Sequence, residues 1–467
     1  MKTINKINIR SGFMALMLVT LWACDGKLDI EPQQSISTDV ALNSSENVIN
    51  VLIGSYSEAG GQFGIASDGR PEGGELYGGD FNLFSELMGS DGEITWNGSF
   101  DTYEDIFDRD MISNHLLARN NWMRAYNSIN IINNVIANID IVDQALKDQA
   151  LGEALFMRGV MHFELVRFYA LPYEPGGANL QVGVPIVTSA TDAIDESTQL
   201  SRATVAEVYT QVIADLTDAE SLMNSRNGSF ANRHAAAAML SRVYLQQGDY
   251  AAAADAANRV IDQGGYTLVP DYASAFNNAA NSIEDIFAVQ QNTTFNAGTS
   301  NSGLPTFYAN LVGVGRDGDI DVLPAHLDLY EAGDARLDLF YTGIDGLPKT
   351  GKWAVDGANI PVVRLAEMYL TRAEANFRAG TAVGADPLDD INLIRGRVGL
   401  TALAVLTLDD IMVERRKELA FEGQRLHDLK RTQQTVSGSP YNADELVFPI
   451  PQREIDVNSN LEQNPGY

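Results

Sequence analysis

Residues 237–260 read AAMLSRVYLQQGDYAAAADAANRV. Ala237, Leu240 and Tyr244 recur at helical spacing, Gly248 interrupts them, and Tyr250, Ala253, Ala257 and Val260 resume the period. Two such runs around one glycine predict two antiparallel helices joined by a short turn. The small residues let those helices approach closely, as helix pairs that stack into longer arrays require.

The same period appears on both sides of this segment. Trp122, Tyr126, Ile129, Ile132, Val135 (or Ile136) and Ile139 predict one helix upstream. Leu151, Leu155, Met161, Leu165 and Phe168 predict a second, ended by Pro172, and Val208, Val212, Leu216 and Leu222 a third from about Thr204. Downstream, Leu365, Tyr369, Leu370 and Ala373 lie on a helix closing near Gly380, and Ile391, Ile394 and Val398 on one stopping at Gly399. A last helix is expected from about Leu408 to Arg431. The offsets within 237–260 resemble a tetratricopeptide unit, and such pairs bury their apolar faces only by stacking on one another. The expected fold is therefore mainly α: an α-solenoid frame of tetratricopeptide-like helix pairs, with long irregular loop insertions and few short strands.

The insertions differ in composition. Residues 54–120 are rich in Gly, Asp, Asn and aromatics, with Gly60-Gly61, Gly73-Gly74 and Gly78-Gly79 as breakers. Residues 264–361 mix Gly, Asn, Thr and aromatics with strand-like runs such as Ile286–Val289. Loops this long inside a helical protein are uncommon unless they carry function, so the binding site is expected there.

Composition narrows the partners. The chain has 467 residues, 62 acidic against 32 basic side chains, five histidines and one cysteine. A net charge of −30 argues against nucleic acid, whose phosphates call for clustered Lys and Arg. One cysteine excludes an internal disulfide framework and a multi-cysteine metal cluster. At the N-terminus, Lys2, Lys6 and Arg10 precede an apolar run from Phe13 to Ala23, too short to span a bilayer, which ends at Cys24. Leu21-Trp22-Ala23-Cys24 resembles a bacterial lipobox, so residues 1–23 are expected to be a lipoprotein signal peptide and Cys24 the lipidated mature terminus. Removing residues 1–23 takes away three cations and no anion, which deepens the net charge from −30 to −33.

Several stretches together resemble the SusD/RagB family of surface nutrient-binding lipoproteins of the Bacteroidetes type. They are Arg364-Leu-Ala-Glu-Met-Tyr-Leu-Thr-Arg-Ala-Glu-Ala375, Ile391-Asn-Leu-Ile-Arg-Gly-Arg-Val-Gly-Leu400, and Glu414-Arg-Arg-Lys-Glu-Leu-Ala-Phe-Glu-Gly-Gln-Arg425 with Asp428-Leu429. Phe448-Pro-Ile-Pro451 with Asn464-Pro-Gly-Tyr467, and Leu28-Asp-Ile-Glu-Pro-Gln-Gln34 after the lipobox, complete the set. The resemblance covers both ends and the C-terminal third in order. It implies an N-terminal part over 24–263 with helix pairs and a loop insertion, and a C-terminal part over 264–467. It also implies four tetratricopeptide-like units, a lipid anchor on the outer face of the outer membrane, and capture of an oligosaccharide for a SusC-like TonB-dependent transporter. Peptide replaces glycan in some members. No enzyme activity, cofactor or metal is implied.

A neutral sugar presents an apolar ring face and a hydroxyl rim, so it calls for an aromatic platform flanked by amide, carboxylate or guanidinium groups. Leu87-Met-Gly-Ser-Asp-Gly-Glu-Ile-Thr-Trp-Asn-Gly-Ser99 holds that mixture: Trp96 to stack, Asp91 and Asn97 to bond hydroxyls. Tyr77 and Phe81 precede it; Phe307, Tyr308, Trp353 and Arg316 come from the second insertion. Each ring reads equally as a pin fastening a loop to the frame, because large aromatics serve packing before recognition. The acids and arginines of Glu414–Arg425 read as an ion-pair network holding helices together rather than a catalytic cluster.

Other motifs carry nothing. Gly313-Val-Gly-Arg-Asp-Gly318 matches GxGxxG without a strand before it and a helix after it. Asp317, Asp319 and Asp321 copy a calcium-loop start, yet Val322 stands where glycine is required. The histidines have no metal spacing, and neither a GxSxG elbow nor a Walker A segment is present. A glycosidase, needing only two carboxylates, and a helical protein scaffold are the competing classes.

Overall fold

The computed structural model describes residues 42–61, 64–65, 71–191, 198–297, 302–316 and 318–467. Cys24 and Asp317 lie outside the described residues. The fold opens on helix α1 (Ser45–Ala59), where the Ser44 hydroxyl caps the Asn47 amide. The first insertion carries β1 (Gly64–Ile65), β2 (Pro71–Glu72), α2 (Asp80–Met88), β3 (Ile94–Trp96) and α3 (Asp101–Asp108). Five long helices follow: α4 (Leu116–Ala137), α5 (Gln144–Tyr169), α6 (Val205–Leu222), α7 (Arg233–Gln247) and α8 (Tyr250–Gln263). The second insertion holds β4 (Asp285–Val289), α9 (Leu304–Tyr308), β5 (Ile320–Val322), α10 (Pro324–Leu327), β6 (Phe340–Thr342), β7 (Pro348–Thr350) and β8 (Ile360–Arg364). The chain closes with α11 (Leu365–Ala379), α12 (Pro387–Arg397), α13 (Leu408–Glu418), α14 (Arg425–Arg431) and α15 (Gln452–Val457).

The long helices form one stack in which α1 meets α4, and α4 to α8 each meet the next. Helix α8 then meets α11, and α11 meets α12 and α13, so the array runs on across the whole second insertion. The α7–α8 pair shows why. Asn232 caps α7 by accepting from the amides of His234 and Ala235, and Gly248 ends it at φ 74°, a left-handed position that glycine adopts without strain. Asp249 then caps α8 through the Ala252 amide at 3.1 Å. Ala235 to Ala238 on α7 and Ala253, Ala254, Ala256 and Ala257 on α8 are all buried, which brings the two backbones close. Helix α6 starts with a full capping box between Thr204 and Glu207.

Helix α5 is the central beam, buried on every side from Gly152 to Tyr169. Charges inside such a helix must be paired. Arg158 forks onto Asp215 of α6 at 2.8 and 2.6 Å, Arg167 pairs with Glu164 one turn away, and Glu153 accepts from the Tyr56 hydroxyl at 2.7 Å.

The insertions are not independent loops. Strand β3 of the first pairs antiparallel with β5 of the second, matching Ile94 to Val322, Thr95 to Asp321 and Trp96 to Ile320. Strands β4 and β8 pair across a bulge and bring the second insertion back to the frame at Arg364. Both insertions thus make one irregular layer seated on the solenoid. Among the described residues, no helix is long and apolar enough to cross a membrane.

Two expectations change. Residues 54–120 are not loop throughout: they include the end of α1 and all of α2 and α3, and α1 itself had no strong apolar stripe to announce it. The single helix expected over 408–431 is two, broken at residues 419–424. There Phe421 takes φ 63° and Gly423 φ 76°. The carbonyls freed by the break are bonded from elsewhere: Glu418 by Tyr272, Lys352 and Arg364, Ala420 by Lys352, and Phe421 by Trp353 and Asn82. Partners supplied from the insertions replace the next helical turn.

Candidate functional site

The β3–β5 ribbon places Trp96 at the seam between the two insertions. Its ring lies over Tyr103 of α3, centroids 5.6 Å apart at 29°, and against Phe307 of α9 at 6.1 Å. Only 8 % of Trp96 is exposed, and its indole N–H has no acceptor among the described residues. Asn97 beside it is exposed, and its amide donates to the Asp319 carbonyl at 2.7 Å. The Arg316 guanidinium sits 4.3 Å over the Phe100 ring, with Nη2 3.3 Å from Asp319 Oδ2. Gly98 must be small: a Cβ there would lie 2.5 Å from the Trp96 ring and 2.6 Å from the Asp319 carboxyl carbon. Next to Arg316, the turn at Leu311–Val314 projects Val312, which is 91 % exposed.

Beneath Trp96 the ring stack rests on a polar post. The Tyr103 hydroxyl donates to Asp80 Oδ1 at 2.7 Å and Asn121 Nδ2 donates to Asp80 Oδ2 at 2.6 Å. Burial, reinforced by nearby Glu75, pushes the Asp80 carboxyl up to about 7. Burial and then Asp80 raise the Tyr103 hydroxyl well above its ordinary range, so it remains a hydrogen-bond donor.

Four of the residues expected from sequence therefore meet: Trp96, Asn97, Phe307 and Arg316. The others stand elsewhere. Tyr77 donates to Glu164 at 2.6 Å and packs edge-on against Phe81, which stacks on Phe168 at 5.5 Å, anchoring α2 to the central beam. Tyr308 is fully buried and donates to Asn82 at 3.1 Å; Trp353 is buried and donates to the Phe421 carbonyl at 2.8 Å. Asp91 is exposed and accepts from the Ser437 amide at 3.1 Å. Phe100, Tyr103 and Asp80 belong to the Trp96 cluster without having been singled out. Their only sequence signal was Tyr103 and Phe100 lying within seven residues of Trp96.

The acids and bases of 414–425 are absorbed in ion pairs. Glu414 meets Arg336 at 2.6 Å, Arg415 meets Asp428 at 2.9 Å, and Arg416 reaches Glu86 and Glu93 at 3.1 and 2.7 Å. Burial raises the Glu93 carboxyl, but Arg416, the His326 hydrogen bond and Arg425 override it and hold it well below the usual carboxylate range. These pairs tie α13 and α14 to both insertions. Among the described residues, no group of three or more His, Cys, Asp or Glu could hold a metal ion.

Comparison with known proteins follows the same order along the chain. Residues 80–245 match a SusD-like family described as starch-binding and associating with the outer membrane, and residues 347–444 match the SusD family. The chain is 26 % identical to SusD-like protein P2 of Formosa agariphila over 74 % of its own length and 80 % of that protein. It is also 26 % identical to the starch-binding protein SusD of Bacteroides thetaiotaomicron, over 56 % of this chain and 65 % of that one. A solved SusD superfamily structure from Bacteroides thetaiotaomicron superposes with a TM-score of 0.80 at 27 % identity, covering 90 % of this chain and all of that one. These two matches in order along the chain, with a solved superfamily member superposing over 90 % of it, place the chain in the SusD/RagB family.

Proposed function

We propose that this protein binds a glycan at the outer membrane and hands it to a SusC-like TonB-dependent transporter without altering it. The observation that carries the reading is the Trp96 seam: an aromatic cluster edged by Asn97, Arg316 and Asp319, where both insertions meet. Ring face plus amide, guanidinium and carboxylate is the set a polyhydroxylated ring calls for. Starch-binding SusD among the relatives supports a glycan over other ligands. The family description supports association with the outer membrane. Attachment would run through lipid on Cys24.

Binding without turnover fits the acids of this structure. A glycosidase sets two carboxyl groups about 5–9.5 Å apart across a cleft, one of them with a raised pKa. Of the acids pushed up furthest, Asp80 is 2 % exposed with both its oxygens already bonded, and Asp285 is the only carboxyl among the residues lining its pocket.

Calorimetric titration of the purified mature chain with starch, β-glucan and xylan oligosaccharides tests the proposal. One class should bind saturably, with no new reducing ends on prolonged incubation and with Trp96→Ala at least tenfold weaker, about 1.4 kcal/mol. Release of reducing ends would favour the glycosidase. Binding of peptides but no glycan would shift the ligand class. Failure to co-purify with any outer-membrane barrel would remove the transporter.

A further inference from the structure

A pocket of about 390 Å³ opens between the α6–α7 loop, the end of α8 and the start of β4. It shares no lining residue with the Trp96 cluster, and its volume falls within the ~300–1,000 Å³ of small-molecule sites.

Its walls are polar groups whose bonding is incomplete among the described residues. Arg226 at the rim is exposed and has no carboxylate partner, in a chain where anions outnumber cations almost two to one. Gly265 makes room for it: at φ 67°, a Cβ there would sit 3.2 Å from Arg226 Nη2. The Tyr266 hydroxyl accepts from Asn232 Nδ2 at 3.1 Å, which leaves its own hydrogen free to donate. Asn281 spends its carbonyl oxygen on Gln290 and Asn359 and keeps its NH2. On the acceptor side stands Asp285, 5 % exposed. Its Oδ2 takes the Ser282 amide at 2.8 Å, while Oδ1 is buried without a partner. Burial pushes this carboxyl up to about 6. Phe230 adds an aromatic ring, held edge-on against Tyr56 at 5.0 Å.

A buried carboxylate oxygen left unpaired is expensive, and native proteins rarely keep one without a reason. A cation is a poor answer, because Arg226 already stands at the mouth. A polyanion is equally poor, because Asp285 faces it. Donors at the rim, one acceptor at the base and a ring on the wall suit a neutral ligand that both donates and accepts. We propose that this pocket is a second saccharide subsite, taking one neutral polyhydroxylated ring between Arg226, Tyr266, Asn281, Asp285 and Phe230. It would let one chain hold two points of a branched or long glycan, or two separate ones. The proposal extends the glycan-binding reading but does not depend on Trp96.

Saturation-transfer NMR on the mature chain tests it, using the methyl glycosides of glucose, galactose, mannose and xylose as probes. The measurement is made in a Trp96→Phe/Asn97→Ala background, which weakens the first site while keeping a ring in the core. Transfer to at least one probe should persist there. It should fall at least fivefold on adding Arg226→Ala, and again on adding Ser225→Trp instead, which fills the mouth. Both residues are exposed, so unchanged thermal unfolding is expected for each and serves as the control. No transfer to any probe in that background, or transfer that both additions leave unchanged, overturns the second subsite. Loss of oligosaccharide affinity in Trp96→Ala alone reads only the first site, so the two readings fail separately.

Discussion

Arg364 Nη1 lies 2.7 Å from Glu418 Oε1, joining the last residue of β8 to the last residue of α13. The same nitrogen is 2.7 Å from Glu284, and the other nitrogens of the fork reach both oxygens of Glu422. Glu418 in turn holds Arg397 and Arg336. One buried carboxylate therefore serves three arginines from three segments, and burial, which would raise its pKa, is overridden by Arg397, Arg364 and Arg336. Three of the stretches that resembled the family meet here, through Arg364, Arg397 and Glu418.

Replacing Glu418 with Gln leaves those guanidiniums short of an anion in a site that is 0 % exposed. Loss of one partner from a buried network costs about 3–5 kcal/mol. Urea unfolding should show that loss. A change below about 1 kcal/mol would mean that the remaining acids, Glu284, Glu414 and Glu422, already neutralise the cluster.

Trp96 and Asn97 should separate stability from recognition. Trp96→Ala empties a buried site against Tyr103 and Phe307 and is expected to cost about 3–5 kcal/mol in unfolding free energy as well as affinity. Asn97→Ala removes an exposed amide, so affinity should drop while unfolding stays within about 0.5 kcal/mol. Equal stability losses in the two variants would place Asn97 in packing rather than in the site.

Acid stability depends on two opposed sets of buried groups. Asp80, pushed up to about 7, holds a proton in the folded state that an unfolded aspartate gives up above about 4, so its contribution grows as pH falls between those values. The five histidines run the other way. Burial lowers all of them, His162 and His326 to about 4, so the folded chain binds fewer protons than the unfolded chain between about 4 and 6.5. The histidines therefore pull stability down as pH drops from about 6.5 towards 4, against Asp80, Asp285, Glu153, Asp356 and Asp390, whose raised carboxyls pull it up. In Asp80→Asn one of the opposing terms is gone, and unfolding series at pH 7.5, 6 and 5 should show stability dropping more, or rising less, towards acid than in the parent. A parallel course in both proteins would contradict the raised Asp80.

Two glycines should respond with opposite signs. Gly423 sits at φ 76° in the break between α13 and α14, and a Cβ there would come 2.8 Å from the Asn82 backbone. Gly423→Ala should destabilise by more than about 1 kcal/mol. Gly396, inside α12, has nothing within 4 Å of the added carbon, so Gly396→Ala should stabilise by about 0.4–1 kcal/mol. Thermal unfolding of the pair checks both, and matching signs would refute the conformational argument.

Much of the frame was readable from the chain because helical periodicity is local. Leu151, Leu155, Leu165 and Phe168 lie within a few turns of one another, and Gly248 and Gly380 end their helices by their own backbone freedom. Helix α1 escaped notice because its buried face is only Val48, Leu52, Ser55 and Ala59. The ion-pair role of 414–425 was legible from its charges, but the break inside it was not. That break is held open by Lys352, Trp353, Arg364 and Asn82, all distant in sequence.

Short-range pattern alone was enough to establish a stacked helical frame, its two interruptions and the residue types gathered in them. Which ring sits at the seam and which sit inside the frame depended on contacts between segments 68 to 226 residues apart. Trp96 stands at a seam because β3 finds β5, whereas Tyr308 and Trp353 vanish into the core because Asn82 and Phe421 claim their polar ends. Strand pairing and hydrogen bonding across such distances leave no period in a sequence, since any extended run can pair with any other until the packed frame selects one.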